Sequence, residues 1–171
     1  MEKYYSQTVG NAVVTESGQR LARVYDLAVN TDTGKIVGFF TDPAGKKVVA
    51  PIDVIQWGSV LTVHDEESIL ESEEIQQVME SLKSGIRIFR NRVVTKSGED
   101  LGRVIDFAVN NKFFILTKLL VAKSFLGLIY YRKRLIPATD IIEVTKDKII
   151  VKEPLKTEPL KATAPAAAAG T

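Results

Sequence analysis

The sequence predicts a mainly β protein: two small β-barrels joined by an amphipathic α-helix. Three observations carry this prediction. The segment VVTESGQRLARVYDLAVN at 13–30 returns as VVTKSGEDLGRVIDFAVN at 93–110, with 12 of 18 columns identical, which is internal duplication. Within each copy, short runs of β-branched residues alternate with turn residues, and no helical period intervenes. Between the copies, at 65–85, lies a stretch with the 3.6-residue period of a helix.

Each copy opens on a short apolar strand, AVVT or RVVT, followed by a Ser-Gly turn and a second β-rich strand. Gly18 and Gly98 supply the positive φ that such a tight turn requires. In the first copy TDTGK at 31–35 forms another turn before the apolar strand IVGFFTD. The second copy is expected to replace that turn with NKFFILTK and to run on into LLVAK. Related segments close both units, KKVVAPIDVIQWGSVLTV at 46–63 and KRLIPATDIIEVTKDKIIV at 133–151. Each reads as a strand ending at Pro51 or Pro137, a turn around Asp53 or Asp140, and a last strand. About five strands in roughly 55–60 residues imply a closed barrel, because closure removes exposed strand edges. The expected boundaries are 1–64 for the first barrel, 65–85 for the helical linker and 86–152 for the second barrel.

In the linker, Ile75, Val78, Met79 and Leu82 fall on one helical face, Ser72 with Glu73 and Glu74 makes a capped acidic start, and Gly85 is a natural stop. The apolar stripe is expected to pack on one or both barrels, holding them around the helix. Beyond 152, EPLKTEPLKATAPAAAAGT lacks periodicity and reads as a disordered tail, 153–171.

Composition excludes much chemistry. The chain has 171 residues, no cysteine and a single histidine, His64, which rules out disulfides, thiolate chemistry and multi-histidine metal sites. No apolar run approaches the ~18–20 residues that span a bilayer, and the opening MEKYYSQTVGN is polar, so a cytoplasmic location is expected. Charge is divided unevenly. Residues 1–85 carry 7 Lys+Arg against 13 Asp+Glu, net −6, whereas residues 86–171 carry 16 against 8, net +8. Only the second half should attract phosphate or another anionic surface.

The recurrent charged pairs Arg23 with Asp26, and Arg103 with Asp106, belong to the repeated motif. A structural role, with the carboxylate accepting from turn amides, is the expectation for them, as for the turn residues Asp53 and Asp140. His64, beside the acidic linker, has no partner spaced to make it a general base and reads as a solvated surface residue. Neither GxxxxGK[ST] nor GxGxxG occurs. No catalytic residue, metal site or cofactor is therefore assigned.

One stretch stands apart. KSFLGLIYYRKR at 123–134 takes the place of the short DPAGKK loop at 42–47 and is where the copies differ most. Lys123, Phe125, Leu126, Tyr130, Tyr131, Arg132, Lys133 and Arg134 form a candidate binding surface. Aromatic rings between cations suit stacking on RNA bases, an anionic lipid surface, or the acidic patch of a protein partner. The competing expectation is that Phe125, Leu126, Leu128 and Ile129 cap the open end of the second barrel.

The motif V-x-[ST]-x-x-G-x-x-[LI]-G-x-V-x-D, followed by β-branched strands and a strand-Pro-x-x-D-I closing segment, resembles the PRC-barrel domain. That domain is shared by the H subunit of photosynthetic reaction centres and the ribosome-maturation factor RimM. The resemblance covers roughly 8–64 and 86–152, with Gly18, Arg23 and Asp26 matching Gly98, Arg103 and Asp106. The first copy carries Ala22 where the pattern has the glycine found at Gly102, so that its turn is expected to be built differently. The sequence reads as opening directly on its first repeat, and neither the extra barrel of RimM nor a membrane helix is expected in it. The resemblance thus implies the common denominator, a β-barrel that docks on other macromolecules without chemistry of its own. The first reading is a protein-docking adaptor. The alternatives are a ribosome-associated factor that meets ribosomal protein or RNA through the basic second barrel, and a peripheral membrane module. No DNA partner is expected.

Overall fold

The computed structural model describes residues 1–154 and is mainly β, as expected. In the first repeat β1 is Glu2–Tyr4, α1 Tyr5–Thr8, β2 Ala12–Thr15, β3 Arg20–Arg23, β4 Asp26–Val29, β5 Ile36–Phe40, β6 Lys47–Val49, β7 Val54–Trp57 and β8 Leu61–Val63. The connecting segment forms β9 (Ile69–Glu71) and α2 (Gln76–Ser84). The second repeat contains β10 (Arg92–Thr95), β11 (Asp100–Asn110), β12 (Ile115–Phe125), β13 (Ile129–Pro137), β14 (Ile141–Val144) and β15 (Ile149–Val151).

The expectation of closed barrels is corrected. The first repeat forms two four-stranded sheets, β3-β2-β8-β7 and β4-β5-β6-β9. In the second repeat the ladder runs without a break through β13-β12-β11-β10-β15-β14, because β11 spans the positions that β3 and β4 divide between them. None of the three sheets returns on itself, so edges remain at β13 and β14, at β3 and β7, and at β4 and β9. Alternate residues of the strands nevertheless meet in one core. Val13, Leu27, Phe39 and Leu61 of the first repeat and Val93, Leu101, Phe107, Leu119 and Ile149 of the second belong to a single buried cluster.

The two repeats join at equivalent turns. The Asn30 side chain accepts from the N–H groups of Asp32 and Thr33, and Asn110 does the same for Lys112 and Phe113. The turn expected to be replaced in the second copy is thus retained, with Phe114 (φ 53°) standing where the first copy has Gly34 (φ 73°). Sequence reading fails here because a left-handed phenylalanine costs roughly 1–2 kcal/mol and is not an expected turn residue. Its ring offsets that cost by stacking on Trp57 at 5.8 Å and meeting Phe39 edge-on at 6.2 Å. Across this seam Ile36 N–H donates to the Phe114 carbonyl and Leu116 N–H to that of Gly34, both at 2.8 Å.

The polar N-terminal segment contributes more than its composition suggests. Strand β1 pairs antiparallel with β11, placing Lys3 opposite Val109, and Glu2 forms an ion pair with Lys118 at 2.6 Å. Tyr5 stacks on Phe107 at 4.8 Å while its hydroxyl donates to Asp26 at 2.9 Å, linking the second repeat to the first. Burial, reinforced by the Asp26 charge, pushes the Tyr5 phenol well above its ordinary value. A raised pKa means that the stabilising protonated form is complete below the unfolded value of about 10 and is lost at higher pH. Tyr5→Phe should therefore cost about 1 kcal/mol at neutral pH through the lost hydrogen bond. It should also flatten the fall in stability above pH ~10, as urea titrations at neutral and alkaline pH will show.

The helical linker is shorter than expected. Residues 69–71 extend the first repeat's sheet, with Val48 opposite Leu70, and Ser72 is buried, donating to the Gly45 carbonyl at 2.6 Å rather than capping a helix. Only α2 is α-helical, stopped at Gly85 with φ 62°, as its sequence predicts. Its stripe packs on the first repeat, where Val78 joins Ala28, Val37, Phe40 and Val48 in a separate small core. Leu82 remains exposed. The repeats therefore meet directly rather than around the helix. A methyl on Gly38 would lie 2.5 Å from Val48 Cγ2 and 3.0 Å from Val78 Cγ2. Gly38→Ala should cost about 1–3 kcal/mol and lower hydrogen-exchange protection in α2 before that of β11.

The expected disordered tail lies outside the described residues except for Glu153 and Pro154. Glu153 accepts a hydrogen bond from Ser97 N–H at 2.7 Å.

Candidate docking arm

Strands β12 and β13 carry the candidate surface. In the first repeat the equivalent hairpin ends early, because Asp42 accepts from the N–H groups of Lys46 and Lys47 and closes a tight turn. In the second repeat β12 continues past its last partner on β11, where Arg103 pairs with Ala122. Beyond that point only β13 accompanies it, through the pairs Lys123–Tyr131, Ser124–Tyr130 and Phe125–Ile129. The result is a two-stranded arm standing clear of the sheet.

The expected cap is overturned by this geometry. Phe125 is 62%, Leu126 80%, Leu128 81% and Ile129 63% exposed, so none covers the end of the barrel. Because side chains alternate along a strand, Lys123, Phe125, Ile129 and Tyr131 share one face and Ser124 and Tyr130 the other. Both faces and the tip thus display apolar or aromatic surface to solvent. At the tip Leu128 N–H donates to the Phe125 carbonyl, and the residues between, Leu126 and Gly127, have φ of 51° and 70°. Positive φ at both central positions is the type I′ arrangement, which asparagine and glycine enter most easily. A leucine there costs about 1–2 kcal/mol.

The cations gather behind the tip. The register slips between Val121 and Lys123, so that Arg132 and Lys133 form a bulge, with Arg132 at φ 50°. Arg134 stands opposite Val121 and is half-buried, while Arg132 and Lys133 are exposed. Among the described residues none of Lys123, Arg132, Lys133 and Arg134 has a carboxylate within 4.0 Å. Lys123 acts electrostatically on Asp100. Burial raises the Asp100 pKa, but the Gly102 N–H and the Arg92 guanidinium outweigh that and hold it below the ordinary carboxylate range, with Lys123 adding its field.

The structure gathers all eight predicted residues on β12, β13 and their turn, Lys123, Phe125, Leu126, Tyr130 and Tyr131 on the arm and Arg132, Lys133 and Arg134 at its base. Leu128 and Ile129, read from the sequence as cap residues, join them. Exposed Leu135 was missed; its partner Leu120 across the strand pair carries the same alternation and was the available signal.

Most of the motif residues make local backbone contacts or turns. Gly18 and Gly98 take φ of 86° and 94° in their turns. Asp26 accepts from Leu27 N–H; Asp106 accepts from Phe107 N–H and from the N–H and hydroxyl of Ser6, tying α1 down. Arg103 donates to the Arg90 carbonyl, and Arg23 lies exposed at the end of β3. His64 meets Glu16 at 3.0 Å, with both side chains more than half exposed. Asp53 and Asp140 sit in short 3-10 turns.

A cleft of about 450 Å³ lies between the repeats, bordered by Val29, Leu116, Ile141 and Val144 with Asp32 and Glu143 at its rim. The unpartnered indole N–H of buried Trp57 belongs to the neighbouring aromatic seam rather than to this lining. Among the described residues no three His, Asp or Glu side chains are placed to hold a metal, and no helix is long and apolar enough to cross a membrane.

A comparison with curated proteins gives no match. The family model of the PRC-barrel domain matches twice, over residues 1–72 and 86–157. The first match ends just past β9, where the first repeat's sheet ends. With both matches together spanning most of its length, the chain belongs to the PRC-barrel family.

Proposed function

We propose that the protein is a non-enzymatic docking module whose contact element is the β12–β13 arm. The observation that carries this reading is the exposure of Phe125, Leu126, Leu128 and Ile129 together at one protruding tip. Single exposed hydrophobes need no explanation, but a contiguous protruding group marks an interaction site. The strain at Leu126 adds weight, since backbone strain held on a surface loop is more readily explained by function than by folding. The first repeat, whose equivalent hairpin is short, then acts as the scaffold that the shared core fixes behind the arm.

The test is photo-crosslinking in cells of the native host, with a reactive side chain at Leu128 or, as a control, at Ile52, which is 90% exposed on the first repeat. Adducts to protein, RNA or lipid are expected from position 128 and not from 52. No adduct at 128, or equal yields at both, would sink the docking reading.

A further inference from the structure

Resting on that reading of the arm, we infer that its partner is an anionic lipid bilayer, into whose interface the tip inserts. A protein groove or an RNA strand covers one face of a β-arm. Here each face carries exposed apolar or aromatic side chains, Phe125, Ile129 and Tyr131 on one and Tyr130 on the other, and so does the turn, a distribution that suits a medium surrounding the tip on every side. The residues are also layered along the arm. Leu126 and Leu128 form the end, Phe125 and Ile129 the next pair, Tyr130 and then Tyr131 with Lys123 opposite it follow, and Arg132, Lys133 and Arg134 stand behind. At ~3.3 Å per residue, the cations lie roughly 10–17 Å behind the tip, Lys123 nearest and Arg134, opposite Val121, farthest. A tip sunk by the ~5–10 Å that amphipathic elements reach would leave those cations at or just outside the boundary, among the headgroups. Tyrosine rings, apolar with a polar end, are suited to the level between.

The architecture also limits the depth. Beyond Ala122 the arm has no third strand, so its outer N–H and C=O groups must stay hydrated. Insertion is therefore confined to the tip, and the arm does not span the bilayer. Charge supplies the preference for anionic lipid. The four cations have no carboxylate within 4.0 Å among the described residues, and the net −6 of residues 1–85 against +8 of 86–171 turns the basic repeat toward a negative surface. The leucine at φ 51° then has a use: it places an apolar side chain where asparagine would relax the turn but leave the tip polar.

The experiment is flotation of the full-length chain with vesicles of phosphatidylcholine alone or mixed with phosphatidylglycerol, at low and high salt. The protein is expected to float with the mixed vesicles, weakly or not at all with phosphatidylcholine alone, and less at high salt. Leu126→Asn should reduce binding about tenfold, while leaving the melting temperature unchanged or raised, so misfolding cannot account for the loss. Joint replacement of Arg132, Lys133 and Arg134 by Ser should abolish the preference for phosphatidylglycerol. In a Leu128→Trp variant, emission should shift to the blue on adding mixed vesicles, whereas the buried Trp57 of the parent protein should show no shift.

Absence of flotation, or flotation that ignores the arm substitutions, would overturn the lipid assignment. So would arm-dependent binding to single-stranded polyuridylate without vesicle binding. In each case the crosslinking at position 128 decides separately whether the arm is a contact element at all.

Discussion

Phe39→Ala will remove about 3–5 kcal/mol of stability, and both repeats will unfold together in a single transition. Phe39 is fully buried, edge-on to Trp57 at 4.9 Å and 6.2 Å from Phe114. It comes from the first repeat and Phe114 from the second, so its removal opens a cavity at the seam rather than inside one unit. The backbone bonds Ile36–Phe114 and Leu116–Gly34 cross the same seam and will feel the loss of packing. A chain of this size should lose on the order of 10 °C in melting temperature. Urea unfolding followed by Trp57 fluorescence, a probe at the seam, and by far-ultraviolet dichroism, a probe of all strands, should give coincident curves in parent and variant. Two separated transitions would show that each repeat folds alone. A loss below about 1 kcal/mol would show that the seam relaxes to fill the space.

The shared core gives the duplication a physical meaning. A ~60-residue domain buries only about 60% of the surface its unfolded chain exposes and is marginal by itself. Here Tyr5 of the first repeat packs on Phe107 of the second, and Phe114 of the second on Trp57 of the first. Neither copy completes its core without the other. That dependence also leaves one hairpin of the second copy free to change, because β12 and β13 beyond Lys123 contribute nothing to the core.

Legibility followed from how local each signal was. The strands β2, β3, β10 and β11, their Ser-Gly turns and the glycine stop of α2 were readable, because β-branched runs, tight turns and left-handed caps are written in adjacent residues. The path of β1 onto β11 was not, since Glu2–Tyr4 is too short to show alternation and its partner lies more than 100 residues away. The extent of the helix was misread because SEE at 72–74 has the composition of a capped helix start. Its neighbour Leu70 instead found a partner in Val48 at a strand edge, and pairing prevailed over propensity. The arm's residues were legible as a group, but whether they capped the barrel depended on where β11 ends relative to β12. That register is a tertiary property with no mark in the FLGLI stretch itself.

Gly102→Ala should cost more than about 2 kcal/mol, whereas Ala22→Gly at the equivalent place in the first repeat should cost about 0.5–1 kcal/mol or less. Two effects act at Gly102. Its φ of 108° is one that side-chain-bearing residues rarely adopt, and an added methyl would overlap the backbone of Ala122 and Lys123. The overlap is with backbone, so no rotamer change relieves it; β12 must move away from β11 at the base of the arm. In the first repeat the strand corresponding to β12 ends at Phe40, β3 lies at the edge of its sheet, and nothing approaches Ala22 in the same way. The glycine in the repeated motif is thus required by the long hairpin rather than by the turn. Denaturant midpoints measure both costs, and hydrogen exchange at Lys123 and Arg103 should report the opening in Gly102→Ala alone. Equal costs at the two positions would mean that the motif glycine serves the turn, and that the arm is seated by something other than the close approach of Ala122.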